Sequence, residues 1–190
     1  MTQPSDRPYV SRGGEKLAAG LSAFGIEPRG WVCADLGSNV GGFVDCLLRH
    51  GASRVYAVDT GYGTLAYALR TNPRVVVFER TNAMHVVLPE PVDLVTVDVA
   101  WTPQKRILPA AVRMLKPDGR IISLVKPHYE SHRKRLQHGV LDPADAKAVF
   151  KSVCADIEAE GLAVARWIQS PVKGQKGNVE YLVLIEPARR

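Results

Sequence analysis

Four charged residues spread along the chain, Lys16, Asp98, Lys126 and Glu180, are candidates to meet in one crevice, where they would suit a proton transfer. A lysine takes up a proton only where burial or a second ammonium depresses its pKa. Two lysines framed by two carboxylates supply both conditions: one lysine stays charged, and the carboxylates hold the pair in orientation. A structural ion-pair network perturbs pKa values just as well, and spacing alone does not choose between the two. A second group of residues is suited to holding a ligand. Residues 32–45 read Val-Cys-Ala-Asp-Leu-Gly-Ser-Asn-Val-Gly-Gly-Phe-Val-Asp. An apolar strand runs into Asp35, the chain turns at Gly37, and Gly41-Gly42 open a helix at whose N-terminus a ligand can lie against bare backbone. That is the first strand–turn–helix of a nucleotide-binding α/β domain, although a glycine-rich turn with no ligand reads the same way.

The elements that must position these groups read as a doubly wound sheet. A helix through about Phe24 follows Ser11-Arg12-Gly13-Gly14, with Leu17, Leu21 and Phe24 at i, i+4 and i+7 and Gly25 as its stop. Lys16 falls about 100° from Leu17 around this helix and flanks the apolar stripe; helix position alone favours a solvated lysine. Strands are expected at 54–59, 75–79, 92–99 and 120–125. They deliver Asp59, the Arg80–Met84 loop with Asn82, Asp98 and Lys126 to the carboxyl edge, where ligands of open α/β sheets bind. Asp59, roughly 20 residues beyond the first glycine, is placed for both hydroxyls of a ribose, with a turn or cap role as the alternative. Asn82 is a candidate for an adenine edge or a turn former.

A helix is expected from Trp101 to about Leu115, a turn at 116–119 and a helix from Asp142-Pro143 to about Glu160, making five βα steps. The loop Ser170–Gly177 is too short for a parallel crossover, so strands 162–169 and 178–185 run antiparallel. The last strand then begins, with Glu180, beside the carboxyl ends of the others. The expected fold class is α/β: a Rossmann-type, seven-stranded, mostly parallel sheet with an antiparallel last strand and helices on both faces.

The 190 residues suffice for one domain, expected over 11–190 behind a flexible N-terminal arm at 1–10. Lys+Arg number 25 against 19 Asp+Glu, a net charge of +6 with a pI near 9.4, which suits a polyanionic partner. Cys33, Cys46 and Cys154 have no CxxC spacing, which argues for reduced thiols in the cytoplasm and against a metal. Neither a signal core nor a run of membrane-spanning length is read in the chain. Residues 128–138 carry three histidines and the run Arg133-Lys134-Arg135, a phosphate-contacting segment or a solvated loop.

Four stretches give the chain a family likeness. Ser11-Arg12-Gly13-Gly14-Glu15-Lys16-Leu17, Asp35-Leu-Gly-Ser-Asn-Val-Gly-Gly-Phe43, Leu124-Val-Lys126-Pro and Ser170-Pro-Val-Lys-Gly-Gln-Lys-Gly-Asn-Val-Glu180 resemble the FtsJ-like methyltransferases. Among these the TlyA (haemolysin-A-type) group of ribosomal RNA 2′-O-methyltransferases is the nearest. The resemblance implies an S-adenosylmethionine-dependent enzyme acting on RNA, with Lys16, Asp98, Lys126 and Glu180 as its Lys-Asp-Lys-Glu tetrad. The cofactor residues it implies are Asp35, Gly37, Ser38, Gly41, Gly42, Phe43, Asp59, Asn82 and Asp98. RNA, as ribosomal RNA or a ribosomal subunit, is the implied partner, with neither DNA nor membrane.

Asn39-Val40 stand where the family usually has two hydroxyl residues, and Val99-Ala100-Trp101 where it commonly has Val-Ser-Phe. Such proteins usually carry an S4-type RNA-binding domain ahead of this region. Only about ten residues precede Ser11, so RNA is expected to be held by the domain's own basic loops or by a partner. The alternatives are a methyltransferase of a small molecule or protein, and a non-catalytic RNA-binding or haemolysin-like protein.

Overall fold

Runs of β-branched residues, apolar on both faces, dictate the centre of the molecule. The computed structural model describes residues 8–187, apart from the Arg133 side chain. Its strands are β1 (Val32–Leu36), β2 (Arg54–Val58), β3 (Val75–Phe78), β4 (Val92–Val97), β5 (Leu115–Val125), β6 (Leu162–Gln169) and β7 (Tyr181–Pro187). They form one sheet in the order β3-β2-β1-β4-β5-β7-β6. β1 to β5 pair in parallel, and β7 runs antiparallel to both β5 and β6. The order reverses between β1 and β4, which opens a crevice at their carboxyl ends.

Among the described residues six α-helices cover the two faces: α1 (Arg12–Phe24), α2 (Gly42–Arg49), α3 (Tyr67–Arg70), α4 (Gln104–Arg113), α5 (Pro127–Glu130) and α6 (Pro143–Ala159). Leu17 and Leu21 of α1 and Leu47 of α2 pack with Leu94, Ile122 and Leu182 on one face. Ile107 and Leu108 of α4 and Phe150 and Val153 of α6 pack with Val95, Ile121 and Val183 on the other. Each such fully buried side chain contributes about 1.5–3 kcal/mol. The expected fold class is the one observed.

Several expected boundaries move, each for a local reason. No helix joins β3 to β4; Ala83, Met84, Val86 and Leu88 of that loop pack on the α4/α6 face in its place. The expected turn at 116–119 lies inside β5. Leu115 pairs with Val92 and Arg120 with Leu94, so four residues bulge from the ladder, tied by a 2.8 Å Lys116–Asp93 ion pair. α4 starts at Gln104 rather than Trp101, because Trp101 sits at φ 60, outside helical space. β7 starts at Tyr181, since the Asn178 side chain is engaged by Leu141 N–H and the Gly139 and Gln175 carbonyls.

Of the expected arm, residues 1–7 lie outside the described residues, as do 188–190. Tyr9 and Val10 are fastened to α2: the Val10 N–H donates to Asp45 at 2.9 Å, and the Arg49 guanidinium covers the Tyr9 ring. All three cysteines are free, and burial pushes the Cys46 thiol up to about 12, out of reach of ordinary thiolate chemistry. Among the described residues no helix is long and apolar enough to cross a membrane, and no group of three or more His, Cys, Asp or Glu is placed to hold a metal.

Candidate functional site

Strand register carries the charged residues to one edge. Val125 stands opposite Tyr181 in the β5/β7 ladder, so one step further sets Lys126 against Glu180. Leu36 stands level with Val97 in the β1/β4 ladder, so Gly37 and Asp98 follow together. The backbone agrees: Asp98 N–H donates to Leu36 O at 2.9 Å and Gly37 N–H to Val58 O at 2.8 Å. α1 leans on β7 through Gly20, where Leu182 would meet any added methyl, and this close approach lays Lys16 over the same edge.

Two ion pairs result. Lys16 Nζ lies 2.5 Å from Glu180 Oε2, and Lys126 Nζ lies 2.6 Å from Asp98 Oδ1. Lys126 Nζ also donates to the Val99 carbonyl at 3.2 Å. Helix position favoured a solvated Lys16; it is instead 8% exposed, its charge met by a carboxylate 164 residues away. All four side chains line one cleft of about 510 Å³, within the usual range for small-molecule sites.

Gly174 makes room for Glu180. A Cβ at Gly174 would overlap the Glu180 carboxylate, while the backbone there has an ordinary φ of −68. Gly174→Ala therefore acts only by pushing the carboxylate off Lys16 and stranding a buried ammonium, at about 3 kcal/mol. A fall of roughly 5–10 °C in the thermal midpoint is expected by calorimetry. An unchanged midpoint would show that the pair contributes little.

The loop residues divide by what they face. Gly37, Ser38, Gly42 and Phe43 line the cleft. Yet the hydrogen that replaces a side chain at Gly42 points at Ser11 and the Gly14 amide, and that at Gly41 (φ 102) points at Leu65 and Leu69. These two glycines, read from sequence as room for a ligand, make room for α1 and for the α3 segment. Asp59 accepts the Asn39 and Gly61 amides at 2.8 and 2.7 Å, one on each carboxylate oxygen, which joins the loops after β1 and β2. Asn82 accepts the Met84 amide at 2.9 Å, a local turn at the exposed lip of the cleft.

Asp35 is the buried acid of the site. Its Oδ1 accepts from Thr96 at 2.7 Å, and its Oδ2 has no partner among the described residues. Burial pushes its carboxyl up to about 8; the Thr96 bond opposes this, and Asp98 and Asp59 add to it. A buried acceptor on a cleft wall calls for a donor from the occupant. An ammonium group is such a donor. Between the ordinary value of 3.8 and about 8, the folded protein holds a proton that the unfolded chain lacks, so stability falls as pH rises through that window. Asp35→Asn removes this loss. Its thermal midpoint should exceed the parent's by roughly 5 °C at pH 8.5 and match it at pH 4, while cofactor affinity drops about tenfold in calorimetry. A variant less stable than its parent at pH 8.5 would contradict this account.

Sequence reasoning missed the wall beyond Lys126. Pro127 at the first position of α5 turns the chain back in a single helical turn, burying His128 and half-burying Tyr129 against the cleft. Tyr129 packs on Trp101 with ring centres 4.2 Å apart and planes tilted by 34°, and Lys126 Nζ lies 5.6 Å from the Tyr129 ring centre. Trp101 is 59% exposed, an aromatic in left-handed backbone at the cleft mouth. The Lys-Pro step after an apolar strand was the available signal.

Comparison with known proteins gives a consistent set of likenesses. The model of the family described as FtsJ-like methyltransferase matches residues 9–186. The 16S/23S rRNA (cytidine-2′-O)-methyltransferase TlyA of Mycobacterium tuberculosis is 40% identical over 185 residues, covering 94% of this chain and 69% of that protein. A solved presumed hemolysin from Streptococcus thermophilus superposes with a TM-score of 0.91 at 31% identity, covering 98% of this chain and 70% of that one. The N-methyltransferase NodS of Bradyrhizobium japonicum, solved with S-adenosyl-L-homocysteine, has a TM-score of 0.66 over 98% of this chain and 91% of its own. At 15% identity it shares the fold alone.

Proposed function

The chain belongs to the FtsJ-like methyltransferase family, and from that premise we propose that it is an S-adenosylmethionine-dependent 2′-O-methyltransferase of RNA, with ribosomal RNA as substrate. The bound cofactor supplies an electrophilic methyl group. Lys126 receives the proton that the ribose 2′-hydroxyl loses, and Asp98 orients it. Glu180 does the same for Lys16, whose ammonium adds positive charge to the same cleft. The observation that carries this reading is the pair of lysine–carboxylate contacts at 2.5 and 2.6 Å on the wall of one cleft, beside the glycine turn at Gly37. Because the transfer is an in-line displacement, holding the hydroxyl in line contributes much of the acceleration.

The rim supports a nucleic-acid acceptor. The Trp101–Tyr129 ring pair offers a face to an unstacked base, and the exposed Arg12 at the cleft offers charge to a phosphate. We place the activity in the cytoplasm, where ribosomal RNA and free thiols coexist. The test is incubation with methyl-labelled cofactor and purified ribosomal subunits, with the modified position mapped by resistance of the linkage to alkali. Label in RNA at an alkali-resistant linkage, weakening steeply with salt, is the expected result. Cofactor binding without transfer to any RNA would overturn the proposal. Transfer insensitive to salt would point instead to a small neutral acceptor.

A further inference from the structure

The cleft contains one buried polar group that the proposed reaction leaves unused. His128 follows Lys126 by two residues, is 6% exposed and lines the cleft. Its Nδ1 is shut off from solvent and has no hydrogen-bond partner among the described residues. A buried ring nitrogen without a partner is a cost that folded proteins seldom leave unmet. Lys126 and Lys16 both bear on the ring: burial first, then these two ammonium groups, push its pKa down to about 4. The ring is thus neutral at physiological pH, with one nitrogen that donates and one that accepts. Such a group suits a hydroxyl, which both gives and takes a hydrogen bond, and does not suit a phosphate, for which a cation is the better partner.

We propose that His128 is an acceptor-binding residue whose imidazole hydrogen-bonds the ribose hydroxyl presented to Lys126. This rests on the ribose-methylating reading above. The ring packs against Tyr129, with centres 4.2 Å apart, so the same one-turn helix that carries the base-stacking face also carries this contact. Half a turn about the Cβ–Cγ bond exchanges Nδ1 with a ring carbon while the ring keeps its volume, which lets the nitrogen face the acceptor when one arrives. Lys126 takes the proton; His128 sets the direction in which the hydroxyl offers its lone pair.

Two variants test this. His128→Phe keeps a ring and removes both nitrogens; His128→Asn restores an amide near the position of Nδ1. Labelled transfer to purified ribosomal subunits is measured across RNA concentrations, alongside cofactor affinity by calorimetry and the thermal midpoint. His128→Phe should keep cofactor affinity within about twofold and lose roughly 10- to 100-fold in kcat/KM for RNA, with kcat itself reduced. His128→Asn should recover at least about tenfold of that loss. A Phe variant as active as its parent overturns the inference alone, and so does one whose loss of transfer is matched by loss of cofactor affinity. If the Phe variant does not fold, the Asn variant decides: transfer within about tenfold of the parent supports the contact, and a folded but inactive protein overturns it. Parent protein that transfers to no RNA overturns the reading of the function and this inference with it.

Discussion

Lys126→Arg is expected to bind S-adenosylmethionine with near-parental affinity while transferring methyl groups about 10²- to 10⁴-fold more slowly. The substitution separates two roles that one lysine combines. A guanidinium keeps a permanent positive charge, so it preserves a cation for Asp98, now 2.6 Å from Nζ, and for the Val99 carbonyl. It cannot give up its proton at any pH the fold survives, and therefore cannot accept one from a hydroxyl. If Lys126 serves only to organise charge, the arginine should restore much of the activity. Lys126→Ala should lose transfer to a similar degree with cofactor binding nearly intact, though it also leaves Asp98 without its ammonium. Single-turnover transfer with labelled cofactor reads both variants. An arginine variant above about a tenth of the parental rate would place the base elsewhere in the cleft.

Gly37→Ala should be the most damaging change of a single methyl group. At φ 88 an L-residue costs about 1–2 kcal/mol, and a Cβ would lie 2.7 Å from the Asp98 carbonyl oxygen and 2.9 Å from its carbon. Those atoms are backbone at the end of β4, so relief requires the strand end that carries Asp98 to move. A total near 3–5 kcal/mol and a drop of roughly 10 °C in the thermal midpoint are expected, with cofactor affinity lowered at least about 100-fold. Gly63→Ala is the matched control. It too has positive φ, 69, but an added methyl meets nothing within 4 Å, so only the conformational cost of about 1 kcal/mol applies. Equal melting of the two variants would mean that the approach of Gly37 to Asp98 is not what demands glycine there.

How much of this site could be read beforehand depended on which geometry each residue obeys. Asp98, Lys126 and Glu180 were legible because strand order and a short hairpin loop determine which strand ends share an edge. Lys16 was not, since its place on α1 says only that it flanks the apolar stripe; burial came from a carboxylate on the last strand. His128 and Tyr129 read as part of a charged loop, because nothing in their own types shows that Pro127 folds them back. Gly41 and Gly42 show the converse problem: a glycine reports that space is needed, and only the direction of the missing side chain tells what fills it. The count of five βα steps fails between β3 and β4, where a loop rather than a helix packs its apolar residues on the sheet.

The ion pair between Lys16 and Glu180 also sets a clock. The ribosome makes Lys16 164 residues before its carboxylate, and at the usual 5–20 residues per second the wait is roughly 10–30 s. During that interval the Lys16 ammonium has no carboxylate to meet it, and burying it on the sheet would offset part of what the apolar face of α1 contributes. The Lys126–Asp98 pair has both its members once β5 is made, whereas the Lys16–Glu180 pair waits for the last strand. The final strand must first leave the exit tunnel, and the edge that carries all four charged side chains is then completed in one late folding step.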